Sequence, residues 1–220
     1  MHFLEIACFN KEAALAAAAA GAHRLELCSH KELGGVSPDL TWVKEVKETV
    51  NIPVYLMIRP RGGNFIYTEE ELQLMAVYLK EANKLPIDGF VFGCLNTSLS
   101  LNQKQNKTLI NLAGGKPCTL HKAFDEVIDP FKALEEAIAL GFSAILSSGK
   151  ELSALAGLPL ISKLIVKAEG RIEIMPGGNI RSSNLAHIKK NCGATWFHSA
   201  ALLGNETMPD ETEIKALLNT

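Results

Sequence analysis

A chain of 220 residues with a formal charge of −2 and 47% hydrophobic residues suits one large α/β domain with a substantial core. Its balanced charge supplies no basic field for nucleic acid, and no apolar run is long enough to span a bilayer, so neither nucleic acid nor membrane is an expected partner. The five cysteines (Cys8, Cys28, Cys94, Cys118 and Cys192) are widely spaced, odd in number and free of CxxC pairs, and the opening residues carry no charged leader. A reducing, cytoplasmic setting is therefore expected rather than a disulfide framework.

In chain order, a strand at Phe3–Cys8 precedes the alanine-rich helix Lys11–Ala20, which stops at the C-cap residue Gly21. Arg24–Cys28 is the second strand, and Ser37 with Pro38 supplies a cap and first-turn proline for the helix Asp39–Thr49. Val54–Arg59 runs into Pro60, Arg61, Gly62 and Gly63, after which Thr68 and Glu71 form a capping box for Leu72–Ala82. Gly89–Gly93 leads through a polar loop to Lys104–Leu112. Cys118–Lys122 is followed by Phe131–Leu140, which opens at Asp129-Pro130 and closes at Gly141. Three further pairs complete the chain: Ala144–Ser148 with Leu158–Ala168, Arg171–Met175 with Arg181–Lys190, and Thr195–Ser199 with Glu211–Leu218. Continuous apolar strands in strict alternation with helices predict a single (β/α)8 TIM-type barrel with parallel strands over residues 1–220. An open doubly wound sheet would want GxGxxG after an early strand, and Gly34-Gly35 and Gly62-Gly63 have the wrong spacing.

In such a barrel, function gathers at the C-terminal strand ends. Glu5 and Glu26 lie inside the first two strands, and buried carboxylates are rarely left unpaired. They read either as an acid/base or ligand-orienting pair, or as a structural ion network with Arg24 or Arg59. Cys8 and Cys28 end the same strands, which lie about 4.8 Å apart when paired. Two thiolates there suit Cu(I), or zinc with further ligands; the plain reading is two buried apolar thiols. Alternation puts Cys28 on the face of Glu26 but Cys8 on the face opposite Glu5, so a shared ion requires a bulge near Ala7. His121 reads as a general base, a ligand or a core residue, with Asp125 near enough to fix its tautomer. Arg59 and Arg61 offer bidentate recognition of a carboxylate or phosphate. Ser148 adds a hydroxyl, and Gly177, Gly178 and His198 end the seventh and eighth strands, where backbone N–H groups often build a phosphate site.

These strand ends, in this order, resemble the CutC family of copper homeostasis proteins. The matching stretches are 4–8, 24–29, 34–38, 53–63, 88–93, 121–125, 148–149, 174–178 and 197–200, with the arginine-proline-arginine of Arg59 to Arg61 the most specific. The resemblance implies a cytoplasmic TIM-type barrel, usually a homo-oligomer, associated with copper handling. Cys8 and Cys28 match the family's proposed Cu(I) ligands. The chain departs at Lys122, where the family usually has arginine, at Asn64 (aspartate), at Asn179 (glycine) and in the uncharged loop 95–100. The expected function is copper homeostasis through Cu(I) held by Cys8 and Cys28. The alternative is an isomerase, aldolase or lyase acting on a small phosphorylated or carboxylated metabolite. In that case Glu5, Glu26, His121 and Asp125 supply acid/base groups, while Arg59, Arg61, Ser148, Gly177, Gly178 and His198 hold the anion.

Overall fold

Strand residues that face the helices are almost all aliphatic or aromatic, while the alternate positions carry the polar groups, and this two-sided pattern builds the barrel. In the computed structural model, which describes residues 2–204 and 206–220, the chain runs β1 Phe3–Cys8, α1 Lys11–Ala19, β2 Arg24–Leu27, α2 Leu40–Thr49, β3 Val54–Met57, α3 Glu69–Ala82, β4 Gly89–Phe92 and α4 Gln103–Leu112. It continues β5 Cys118–Leu120, α5 Pro130–Leu140, β6 Ala144–Ser147, α6 Leu158–Ala168, β7 Glu173–Pro176, α7 Ser182–Cys192, β8 Trp196–Ser199 and α8 Glu211–Leu218. The strands are parallel, in the order β7-β6-β5-β4-β3-β2-β1-β8. A bridge between Gly177 and His198 joins the two ends of the sheet, giving the expected (β/α)8 barrel.

The helix starts follow from local chemistry. Asn10, Asp39, Thr68, Asn102, Asp129 and Asp210 each accept a backbone N–H in the first turn of the helix that follows. Thr68 and Glu71 form the full capping box. Asp129 with Pro130 opens α5, and Gly141, at φ 100°, closes it. The polar stretch before α4 is ordered by asparagines: Asn96 Oδ1 accepts from the backbone of Ser98 and Ser100, and Asn106 Oδ1 accepts from Cys94 N–H.

Between sheet and helices lies the main core, with Leu4, Ile6, Cys8, Leu25, Leu27, Leu56, Phe90, Phe92 and Ile145 fully buried against residues such as Ala13, Ala14 and Ala17 of α1. Each fully buried large side chain of this kind contributes about 1.5–3 kcal/mol relative to exposure. Inside the barrel a smaller apolar group, Cys28, Tyr55, Met57 and Val91, packs with Phe9. Below it Arg24 is sandwiched between the rings of Tyr55 and Trp196, 4.2 Å from each centroid. Gly89 leaves room for this floor, since a β-carbon there would lie 2.7 Å from the Tyr55 ring. Arg24 and Tyr55 are both buried, so this layer fills the barrel toward its N-terminal end. No helix of the described residues is long and apolar enough to cross a membrane.

Candidate functional site

The deepest charged group on the barrel axis is a buried triad. Register sets Glu5 of β1 opposite Arg24 of β2 and His198 of β8. Glu5 accepts from Arg24 Nε at 2.5 Å and shares a 2.7 Å hydrogen bond with His198 Nδ1. Burial pushes the Glu5 carboxyl up, but Arg24 and His198 outweigh burial and hold it below its ordinary range. Burial likewise opposes charge on His198, and Glu26 and Glu5 outweigh it, so the imidazole is held above its ordinary value. Glu26 lies two residues beyond Arg24 on the same face of β2. Its Oε2 is buried without a hydrogen-bond partner among the described residues. Burial, reinforced by Glu5 and opposed by His198 and Arg24, takes this carboxyl up to about 7.

Above the triad is a cavity of about 110 Å³ whose wall includes Glu26, Cys28, Met57, Arg59, Phe65, His121, Lys122 and His198. His121 ends β5 and caps the 3-10 turn Lys122–Glu126 by accepting from Ala123 N–H at Nδ1 (3.2 Å). The ring proton therefore sits on Nε2, which is buried and unpartnered among the described residues. Burial, followed by the nearby Arg59 charge, lowers this imidazole to about 3, so it is neutral. A β-carbon on Gly93 would lie 2.9 Å from His121 Nδ1, so glycine is needed beside the ring. Arg59 donates to the carbonyls of Leu33, Gly35 and Gly63 and stacks on Phe65 at 4.6 Å, which leaves only its Nε unpartnered. Two outer clefts of about 510 and 360 Å³ flank the cavity, and Lys122 lines all three spaces.

Several predicted residues are placed differently from expectation. Cys28 lines the cavity, but Cys8 belongs to the helix-facing core. The bulge that a shared ion requires does not form: β1 pairs regularly through Ala7 with Glu26 and Cys8 with Leu27. Burial, followed by the Glu26 charge, pushes both thiols well above their ordinary range. Arg61 turns away from the mouth. Its guanidinium pairs with Glu71 and donates to the carbonyls of Gly62, Asn64 and Ile66. Asp125 does not orient His121. It accepts from Ser147 Oγ and from the Ser148 and Lys150 amides, tying the turn after β5 to the loop after β6. The Ser148 hydroxyl is committed to Asp125 and Glu151, and the Gly177 amide to Ser147. Gly178, at φ 106°, does reach the mouth: a β-carbon there would lie 3.6 Å from Lys122 Nζ.

Two residues gain importance from the structure. Arg24 is the partner that keeps Glu5 ionised, and its signal was a lone arginine in an apolar strand. Lys122 is the half-exposed cation of the mouth, 3.8 Å from Asp125. Strand alternation alone would have pointed it outward. As for metal donors, Glu5, Glu26 and His198 present ligand atoms within 4.8 Å of one another. Glu5 is already committed to Arg24 and His198. The soft donors that face the barrel interior include Cys28 and Met57 at the cavity and, deeper, Met175, whose Sδ accepts from Arg24 Nη2 at 3.4 Å.

Comparison with known proteins fits this geometry. A copper homeostasis protein cutC homolog of Homo sapiens is 43% identical over 90% of this chain and 72% of its own length. A crystal structure of CutC from Streptococcus agalactiae superposes with a TM-score of 0.87 at 31% identity, covering 91% of this chain and 99% of that one. Phosphoribosylanthranilate isomerase from Thermotoga maritima, at 13% identity and a TM-score of 0.61 over 100% of this chain and 97% of that one, shares the barrel fold alone. The CutC family model matches residues 2–203, and the chain belongs to the CutC family.

Proposed function

We propose that this CutC protein works through its barrel mouth as an acid–base enzyme on a small anionic metabolite, phosphorylated or carboxylated. The observation that carries the reading is Glu26, a carboxyl that is buried, lines the cavity and has an oxygen without a partner. Such a group costs stability and titrates near neutrality, which is the requirement for a general base. Lys122, the Arg59 Nε–H and the backbone at Gly178 supply the positive potential that an anion needs. Isomerase, aldolase and lyase chemistry all use such a mouth. The five free, buried thiols support a reducing, cytoplasmic setting. The exposed Leu74 and Val77 on α3 support a homo-oligomer.

The test is calorimetric titration with inorganic phosphate and short carboxylates, wild type beside Lys122→Ala. We expect binding that falls about tenfold or more without Lys122, the worth of one charge-assisted hydrogen bond. An absence of anion binding, or affinity indifferent to Lys122, would remove the reading.

A second reading is favoured by Cys28 and Met57, which face the cavity with soft sulfur donors. Here the mouth holds Cu(I), in keeping with the copper homeostasis named for the relatives. The paired form of this reading, with Cys8 and Cys28 both ligating, needs β1 to open at Ala7. Anaerobic Cu(I) titration against a competing chelator separates the forms. Loss of binding in Cys28→Ala alone supports an ion at the mouth, and equal loss in Cys8→Ala supports the thiolate pair.

A further inference from the structure

We infer that the mouth performs proton abstraction next to a carbonyl, with Glu26 as the base and the Nε2–H of His121 and Nε–H of Arg59 holding the enolate oxygen. The substrate class is a short keto or hydroxy-carbonyl compound with an anionic tail. This inference deepens the proposed function and rests on it.

Glu26, His121 and Arg59 line the inner cavity, and each has one buried side-chain atom without a partner among the described residues: Glu26 Oε2, His121 Nε2 and Arg59 Nε. One is an acceptor that can take a proton, and the other two are donors. A base and two donors around one cavity are the complement of a carbon acid beside a carbonyl. The donors are fixed in advance. The His121 proton is on Nε2 because Nδ1 accepts from Ala123, and the ring is held between Gly93 and Phe65, with the Phe65 centroid 4.6 Å away. The other Arg59 nitrogens are committed to three carbonyls. A neutral imidazole polarises a carbonyl without surrendering its proton, which keeps His121 an electrophile rather than a competing acid. Glu26, near neutrality, is ionised in a useful fraction at working pH.

In the step, the α-C–H bond breaks and its proton passes to Glu26 Oε2. The C–H electron pair forms the new C=C bond, and the carbonyl π pair moves to oxygen, which accepts from His121 and Arg59. Glu26 then returns the proton to the original carbon, giving exchange; where that carbon carries a hydroxyl, Glu26 instead protonates the former carbonyl carbon, the hydroxyl proton passes to the enolate oxygen and the hydroxyl-bearing carbon becomes the new carbonyl, giving isomerisation. No co-reactant is needed. The anionic tail extends into the outer clefts that share Lys122, beside Gly178.

Two phosphates test the idea: phosphoglycolohydroxamate, which mimics an enediolate, and ethyl phosphate, which offers only the tail. Dissociation constants are measured by calorimetry, and the His121 Nε2–H is followed by nitrogen–proton NMR on labelled protein. We expect the hydroxamate to bind at least about tenfold tighter than ethyl phosphate, the value of one hydrogen bond to a charged group. It should also move the His121 Nε2–H signal downfield, and His121→Ala should cancel the difference between the two ligands. The wild-type spectra need no variant, so a misfolded His121→Ala leaves the test intact. If both phosphates bind equally, or His121 does not respond, enolisation is overturned while the anion-binding mouth stands. If neither phosphate binds, both readings fall.

Discussion

Glu26→Gln is expected to make the protein more stable, by an amount that grows with pH. The ordinary carboxyl value is 4.5, and burial brings Glu26 to about 7 in the folded chain. Between those values the native state keeps a proton that the unfolded chain has released. The native state thus binds more protons, and stability falls as pH rises, with the loss complete above the folded value. At about 1.4 kcal/mol per unit, the full penalty at alkaline pH is about 3 kcal/mol. Most of it, roughly 2–3 kcal/mol, accrues between about pH 5 and pH 8. Glutamine keeps the shape and removes the titration, so the gap between variant and wild type should widen by that amount across the range. For a chain of this length, the change corresponds to about 5–10 °C in Tm. Urea unfolding at several pH values, followed by far-UV circular dichroism, reads it directly. A gap independent of pH, or one that widens toward acid, would show that Glu26 is ionised and stabilised in the fold, and would refute the argument.

Three further outcomes are expected. Arg24→Met keeps an apolar filling between Tyr55 and Trp196 but leaves Glu5 with His198 alone, and should cost about 3–5 kcal/mol in urea unfolding, the usual loss when one partner of a buried pair is removed. A loss below about 1 kcal/mol would mean that Glu5 is solvated or protonated. Arg61→Ala should leave phosphate affinity unchanged while lowering Tm, because Arg61 bonds the Glu71 side of the α3 capping box rather than the mouth. A loss of affinity matching that of Lys122→Ala would return Arg61 to the site. His198→Gln removes a cation that pulls Glu26 down, so the pH midpoint of the Glu26 stability effect should move above 7; an unmoved midpoint would uncouple the two groups.

The barrel could be read from the sequence because parallel strands covered by helices show as apolar runs, and every one of the eight was visible. The strand ends were less legible, and the misplaced site residues lie there. Arg59 and Arg61 stand two apart, which suggests one shared face. Regular pairing stops at Met57, however, and the turn through Pro60 and Gly62 swings Arg61 toward Glu71. Asp125 and Lys122 depend on a 3-10 turn that starts at once after His121. That turn lets the Ala123 amide orient His121, sends Asp125 to the loop after β6 and brings Lys122 over the mouth. The seventh strand starts at Glu173 rather than Arg171, whose guanidinium pairs with Glu135 of α5. The separation of Cys8 from Cys28, by contrast, follows from simple alternation, and the structure keeps it.

The triad gives the mouth a property that no single residue has. Glu5 sits between Arg24 and His198, and both of these favour the ionised form of Glu26. A buried carboxyl alone would stay protonated well above neutrality, because nothing offsets the desolvation of its anion. At Glu26, His198 and Arg24 oppose the upward push of burial. Replacing such a network with apolar side chains is often neutral or stabilising, so stability alone gives little reason for its presence. What the network does provide is a carboxyl that can be charged or neutral at physiological pH, on the wall of a cavity that His121 and Arg59 also line. Both sulfur donors at the mouth lie within reach of the same field, and the Glu26 charge opposes ionisation of Cys28. Cys28 therefore rests as a neutral thiol beside Glu26, and a cation that displaced its proton would bring a positive charge that both the thiolate and the Glu26 carboxylate attract.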